Sequence, residues 1–211
     1  MLVSRRQLVV GGATIVALGA SVRAQNLVPT SGQNLGPFYP VVRPSDEDAD
    51  LTRIRGAKGV ARGQPINVIG RVVDVRGNPV RGARVELWQA NAVGRYDHPG
   101  DRANRAALDP NFQGFASLLT DRGGNFKFRS IKPSAYDSPI GMRTPHIHFD
   151  IRGASERLVT QMYFPGEPLN ASDFLLRTAT PRDSVIAEAI PRLSGDPGAL
   201  AFRWTIVLAQ G

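Results

Sequence analysis

Two of the three histidines in this chain stand two residues apart, at His146 and His148, within a run of hydrophobic and β-branched residues. On a β-strand, alternate side chains point to the same face, so both imidazoles share one face while Ile147 and Phe149 point to the other. Two imidazoles placed in this way can bind one metal ion. A pair of buried histidines satisfied by hydrogen bonds is the alternative that this motif leaves open.

The residue types present limit which metal site is possible. The chain has no cysteine, which excludes a disulfide framework, a zinc ribbon and a thiolate nucleophile. Any metal must therefore be held by histidine, carboxylate or tyrosine. Tyr96 and Tyr136, two of only four tyrosines, occur among Gly, Pro and Asp residues, so we expect them in loops rather than among ordinary core aromatics.

The remaining pattern predicts a mainly β protein. With 22 glycines and 16 prolines in 211 residues, turns are frequent and a helical bundle is unlikely to form. Short β-branched runs separated by turn residues favour a single β-sandwich domain over 65–211, with short helical pieces, the best at 181–190. An irregular arm is expected at 25–64. The predicted strands are 66–75, 83–90, 115–120, 125–130, 144–152, 158–164 and 201–208, and the first two pairs of strands are expected to form hairpins.

Residues 1–24 have the pattern of a twin-arginine export signal. Arg5-Arg6 is followed by an apolar run, and Val22-Arg23-Ala24 is typical of a cleavage site. The apolar run is about 12 residues long, whereas a membrane-spanning helix needs about 20. We therefore expect a periplasmic or secreted protein without stable membrane insertion after cleavage, and an uncleaved N-terminal anchor is the open alternative.

The net charge of +8 carries little functional information. Three arginines belong to the predicted signal, and the others are dispersed along the chain rather than clustered. No basic helix face or aromatic interleaving is present, so we expect no nucleic-acid partner.

Several motifs, taken in order, resemble the intradiol ring-cleavage dioxygenases, and most of all the β subunits of the protocatechuate 3,4-dioxygenase type. The resemblance runs from about residue 66 to 175 and more loosely to the C-terminus. The motifs are Glu86-Leu87-Trp88-Gln89-Ala90-Asn91, Gly94-Arg95-Tyr96, Leu108-Asp109-Pro110-Asn111-Phe112-Gln113-Gly114, Phe128-Arg129-Ser130-Ile131-Lys132-Pro133, Pro145-His146-Ile147-His148-Phe149 and Thr160-Gln161-Met162-Tyr163-Phe164.

This resemblance implies a non-haem Fe(III) cofactor bound by two tyrosines and two histidines, which here would be Tyr96, Tyr136, His146 and His148. It also implies that a catechol-type, protocatechuate-like diol is cleaved by O2 to a cis,cis-muconate. Tyr136 matches the tyrosine that substrate displaces and that then accepts a proton. Arg143 matches an arginine that stabilises negative charge on the ring. Gln161 matches a pocket glutamine, with an ordinary polar strand position as the equal alternative.

The same resemblance bears on partners. Gly36-Pro37-Phe38-Tyr39 is similar to an element that an α subunit contributes in protocatechuate enzymes. A homo-oligomer is therefore expected, with a hetero-oligomer containing an α-like subunit as the alternative. A noncatalytic, exported β-sandwich binding module of the carboxypeptidase-regulatory or prealbumin-like type is the competing function, because the segment 70–85 also resembles such domains. The substituent on the catechol remains open.

Overall fold

The strands of this protein form two four-stranded β-sheets. The computed structural model describes residues 26–210, and the predicted signal at 1–24 lies outside them. Within the described range there is one α-helix, α1 (Phe174–Thr178), and three 3-10 turns, Pro99–Asp101, Pro168–Ala171 and Arg182–Val185. The strands are β1 (Pro65–Asp74), β2 (Arg84–Trp88), β3 (Phe115–Leu119), β4 (Asn125–Ile131), β5 (His146–Arg152), β6 (Arg157–Tyr163), β7 (Glu188–Ile190) and β8 (Leu200–Leu208).

The two sheets pack face to face as a sandwich. The first sheet has the order β4-β1-β8-β7, with β1 antiparallel to β4 and parallel to β8. The second has the order β3-β2-β5-β6, and all its neighbouring strands are antiparallel. Alternate apolar residues from both sheets fill the space between them, and the ring of Phe149 packs against that of Trp204 at 5.0 Å. The predicted mainly β sandwich is confirmed.

Both expected hairpins are wrong. β1 and β2 lie in different sheets, as do β3 and β4. The turn residues between them are real, since Gly77 and Gly124 adopt positive φ angles. After Gly77 the chain first turns back, with Pro79 bridged to Val73, and it then crosses to the other sheet before β2 begins. A turn motif specifies a change of direction but does not specify which sheet the next strand joins.

The helix expected at 181–190 is also wrong. This segment contains the 3-10 turn Arg182–Val185 and the short strand β7, which pairs with β8. Prolines stand at both ends of this segment, but its last three residues form an edge strand of the first sheet and not a helix. The α-helix instead begins after Asp173, whose side chain accepts a hydrogen bond from the Leu176 backbone N–H. No helix in the described range is long and apolar enough to span a membrane.

Residues from the N-terminal arm follow the edge of the second sheet and then cross its outer face. At the edge strand β6, the Gln33 N–H donates to the Val159 carbonyl, and the Thr160 hydroxyl donates to the Ser31 carbonyl. Further along, the Tyr39 hydroxyl and the Arg43 guanidinium both donate to the buried carboxylate of Glu86 on β2, at 2.8 and 2.9 Å. The second sheet is therefore buried on both faces, by the first sheet on one side and by the arm and loops on the other.

Candidate active site

The two histidines lie on the covered outer face of the second sheet. Ile147 and Phe149 point into the core between the sheets, whereas His146 and His148 point away from it, as the alternation predicts. His148 is the cross-strand neighbour of Trp88 on β2 and of Gln161 on β6. The Trp88 indole stacks on the His148 ring with centroids 5.0 Å apart. Strand pairing therefore fixes the position of His148 from both sides.

The two predicted tyrosines reach the same face from loops. Tyr96 lies between β2 and β3, and Tyr136 lies between β4 and β5. The Tyr136 hydroxyl is 3.4 Å from His146 Nε2, and the Tyr96 and Tyr136 rings meet edge to face at 5.4 Å. The Tyr96 hydroxyl is buried and has no hydrogen-bond partner within the described part of the chain. The four residues singled out from the sequence are thus brought together.

His146 directs a ring lone pair towards His148. His146 Nδ1 lies 2.6 Å from the Thr144 carbonyl oxygen and must donate to it, because a carbonyl only accepts. Nε2 of a neutral His146 then carries the lone pair, and it faces His148 Nε2 at 3.3 Å. Burial, reinforced by the positive charge of Arg143, lowers the pKa of His146 to about 3. Burial and the neighbouring His146 lower the pKa of His148 well below its usual value. Both rings are therefore neutral at pH 7.

The buried phenols need a nearby positive charge to ionise. Burial raises the pKa of Tyr96 well above 10, and the neighbouring Tyr136 raises it further. Burial also raises the pKa of Tyr136, although the guanidinium of Arg143 partly offsets this effect. A bound cation is the kind of group that removes such protons. Two neutral imidazoles, one unpartnered phenol and a second phenol beside them form a donor set that suits a hard trivalent metal ion.

A buried ion pair holds Arg143 beside these groups. Arg143 Nε donates to Asp173 Oδ2 at 2.8 Å, and the same oxygen accepts from the Thr144 backbone N–H at 2.9 Å. Arg143 Nη2 donates to Gln161 Oε1 at 2.7 Å. Because a guanidinium can only donate, this contact orients the Gln161 amide and leaves its Nε2 as a donor with no partner among the described residues. Arg143 and Gln161 both line the adjoining cavity.

The cavity has a volume of about 870 Å³, within the range of small-molecule sites. Gly36 and Phe38 of the N-terminal arm form part of its wall. The Phe38 ring stacks on that of Tyr96 at 4.4 Å. Gly36 has a φ of +77°, and a Cβ placed there would lie 3.0 Å from the His148 ring. Glycine at this position therefore permits the arm to approach the histidine closely.

The other metal-binding residue types lie elsewhere. Within residues 26–210, no group of three or more His, Cys, Asp or Glu side chains is placed to hold a metal ion. His98, the third histidine, is partly exposed in a loop, and its Nδ1 accepts a hydrogen bond from the Gly100 N–H. A site at the histidine pair consequently depends on the tyrosines.

Sequence comparisons assign the chain to a protein family. Residues 35–210 match the sequence model of a protein family described as dioxygenase. Over 202 residues the chain is 40% identical to the protocatechuate 3,4-dioxygenase beta chain of Burkholderia cepacia, covering 92% of this chain and 81% of that one. The chain belongs to the intradiol ring-cleavage dioxygenases. It is an oxidoreductase of this class, and the noncatalytic binding module is disfavoured.

Other relatives of this dioxygenase extend the comparison. It is 31% identical to the hydroxyquinol 1,2-dioxygenase of Rhodococcus opacus, over 80% of this chain and 56% of that protein. The solved dioxygenase domain of a dioxygenase carbohydrate-binding protein fusion from Streptomyces sp. SirexAA-E has a TM-score of 0.65 and 27% identity, covering 87% of this chain and 100% of that one. Hydroxyquinol 1,2-dioxygenase from Pseudomonas putida DLL-E4, at 23% identity and a TM-score of 0.68, covers 89% of this chain and 68% of that one, and supports the fold.

Asp173 and Glu86 are important residues of this dioxygenase that the sequence did not reveal as such. Asp173 anchors Arg143 from a position 30 residues further along the chain. Its one local signal is an aspartate before Phe174-Leu175-Leu176, which is an N-cap pattern. Glu86 occurs within a quoted motif, but nothing in that motif indicates that it holds the arm. Both contacts are long-range and depend on the fold.

Proposed function

We propose that this dioxygenase binds one Fe(III) ion through Tyr96, Tyr136, His146 and His148, and that it uses O2 to cleave the ring of a catechol-type diol, giving a cis,cis-muconate. The observation that carries the proposal is the buried convergence of two neutral imidazoles with two phenols, one of which lacks any other partner. When bound, the ferric ion would supply Lewis acidity toward the two substrate oxygens.

The surrounding residues have distinct proposed roles. Tyr136 lines the cavity, whereas Tyr96 is buried behind it against Phe38. Tyr136 is therefore the tyrosine that substrate can reach, and its phenol oxygen is placed to take a proton from the diol. Arg143 is buried and fixed by Asp173 and Gln161, and its positive charge stabilises negative charge that develops on the ring. The unpartnered Nε2 of Gln161 is available to donate to a substrate oxygen.

The experiment that tests this proposal compares histidine and tyrosine variants of the iron-supplied protein. Ferric tyrosinate absorbs visible light, so the wild-type protein should be coloured, contain about one iron per chain and consume O2 when catechol is added. Tyr96→Phe and His148→Gln should lose iron and colour, because each removes one proposed ligand. His98→Gln is the matched control and should keep both. A colourless, iron-free wild-type protein, or full iron content in His148→Gln, would contradict the ligand assignment.

We also propose export by the twin-arginine route and assembly as a homo-oligomer, with association with an α-like subunit as the alternative. Export is supported by Arg5-Arg6, the apolar run and the cleavage pattern in residues 1–24. Assembly without a partner is supported by the arm, which contributes Gly36 and Phe38 to the cavity in the same chain. Arg5→Lys with Arg6→Lys should retain the protein in the cytoplasm, as measured by cell fractionation. Light scattering of the purified protein measures its oligomeric state.

A further inference from the structure

The cavity beside the candidate metal centre has two chemically different ends. Its inner end is formed by buried polar groups, including His148 and Gln161. Its outer end includes four apolar side chains that are about half exposed, which places them where the cavity opens to solvent. They are Val93 at 54%, Ile140 at 51%, Met142 at 47% and Phe174 at 55% exposure.

These apolar residues come from separate parts of the chain. Val93 lies between β2 and β3, and Phe174 begins α1. Ile140 and Met142 belong to the loop that joins Tyr136 to Arg143, two residues that are paired by backbone hydrogen bonds. Three segments thus bring apolar side chains to one cavity, and we call these four residues the apolar rim. Their grouping differs from the singly scattered hydrophobic residues that are normal on protein surfaces.

The charged residues that line the cavity do not favour a substrate with an anionic substituent on its ring. Among the described residues that line it, Arg143 is the one cation, and it is engaged by Asp173 and Gln161 at the inner end. The other charged lining residues are the carboxylates of Asp101 and Asp137. A carboxylate on the substrate ring would therefore lose water at the apolar rim without gaining a positively charged partner.

We propose that the apolar rim selects neutral catechols that carry an apolar substituent, and that it disfavours catechols that carry a ring carboxylate. The inference rests on the proposed function, because the diol must enter the inner end with its substituent directed outward. The cavity volume of about 870 Å³ leaves room for such a substituent beyond the ring. Each methylene buried at the rim is expected to increase affinity by roughly fourfold.

The first test compares 3,4-dihydroxybenzoate with its methyl ester. The two compounds share the diol and the ring position of the substituent, and the ester removes the negative charge of the acid. We expect the ester to bind the iron-loaded protein at least tenfold more tightly in anaerobic calorimetry, and to have a correspondingly higher kcat/KM. Equal or tighter binding of the acid would overturn the inference.

The second test changes the charge of the rim. Ile140→Lys places an ammonium group at the opening and should narrow the preference for the ester by at least threefold, mainly by tighter binding of the acid. Met142→Lys repeats the test from a second position. The matched control is Leu119→Lys, since Leu119 is 67% exposed on β3 and does not line the cavity. The inference is wrong if neither rim variant changes the ratio, or if Leu119→Lys changes it equally.

Three further outcomes separate this inference from its alternatives. If the iron-loaded protein cleaves catechol but prefers the acid, the proposed function stands and the rim inference fails. If it cleaves none of the three diols, the proposed function fails, and the ratio of the two dissociation constants still tests the selectivity of the cavity. If Ile140→Lys changes the oligomeric state in light scattering, the rim is an interface between chains and the inference is also overturned.

Discussion

Asp173→Asn tests whether a buried ion pair positions Arg143. Asp173 is completely buried, and its carboxylate accepts three hydrogen bonds, from Arg143 Nε, the Thr144 N–H and the Leu176 N–H. Removing one partner of a buried pair costs about 3–5 kcal/mol, because the other charge remains buried without compensation. We take about 3 kcal/mol, since the asparagine oxygen can still accept a hydrogen bond. For a domain of this size, that corresponds to a decrease in Tm of about 6–12 °C.

The assay is thermal unfolding followed by circular dichroism, together with kcat and KM measured well below the variant's Tm. The kcat should fall because Arg143 loses the group that orients its guanidinium, while iron content stays unchanged. Asp183→Asn is the control: Asp183 is an exposed aspartate in a neighbouring turn, and its substitution should change stability by less than about 0.5 kcal/mol. A decrease in Tm of under 2 °C for Asp173→Asn, with kcat intact, would refute the reasoning.

Three further predictions concern the guanidinium of Arg143, the arm at Gly36 and the carboxylate of Asp196. Arg143→Ala should keep the iron and colour but lower kcat by about 10²–10³, the usual effect of removing one preorganised electrostatic group; an unchanged kcat would exclude its proposed role. Gly36→Ala should lower iron content more than Gly56→Ala, because both positions have positive φ but only Gly36 approaches His148, so equal effects would argue against that contact. Hydrogen bonds from Arg129 and Asn67 lower the pKa of Asp196, so the stability they provide is present above about pH 4 and is lost as the pH falls through that lowered pKa. Asp196→Asn should therefore be less stable than the wild type in urea unfolding at pH 7 and equally stable near pH 2; a constant difference would refute this.

Local pattern predicts much of this fold because strand alternation is a short-range property. The period of two at His146 and His148 predicts their shared face, and the core position of Phe149 follows from the same alternation. Pairing between strands is not local. The sequence around Gly77 and Gly124 predicts turns, but the sheet that each following strand joins depends on packing across the whole sandwich.

The candidate site could be predicted in its residue types but not in its supporting contacts. The chain has only four tyrosines, and Tyr96 and Tyr136 occur among Gly, Pro and Asp residues, which indicates loop positions rather than the core. Asp173 is an ordinary polar residue whose role arises only when the chain just before α1 meets Arg143 and Thr144 just before β5. Contacts formed by folding over long sequence separations leave little trace in a single sequence.

The position of the arm has a consequence for how the cavity forms. Gly36 and Phe38 are tethered to the sheet that they cover, so their local concentration at His148 is set by the length of the chain and not by the amount of protein in solution. If a separate subunit supplied this part of the cavity wall, that subunit would dissociate on dilution. In this protein the wall persists at any dilution, and the contacts of Phe38 with Tyr96 form during folding rather than during association.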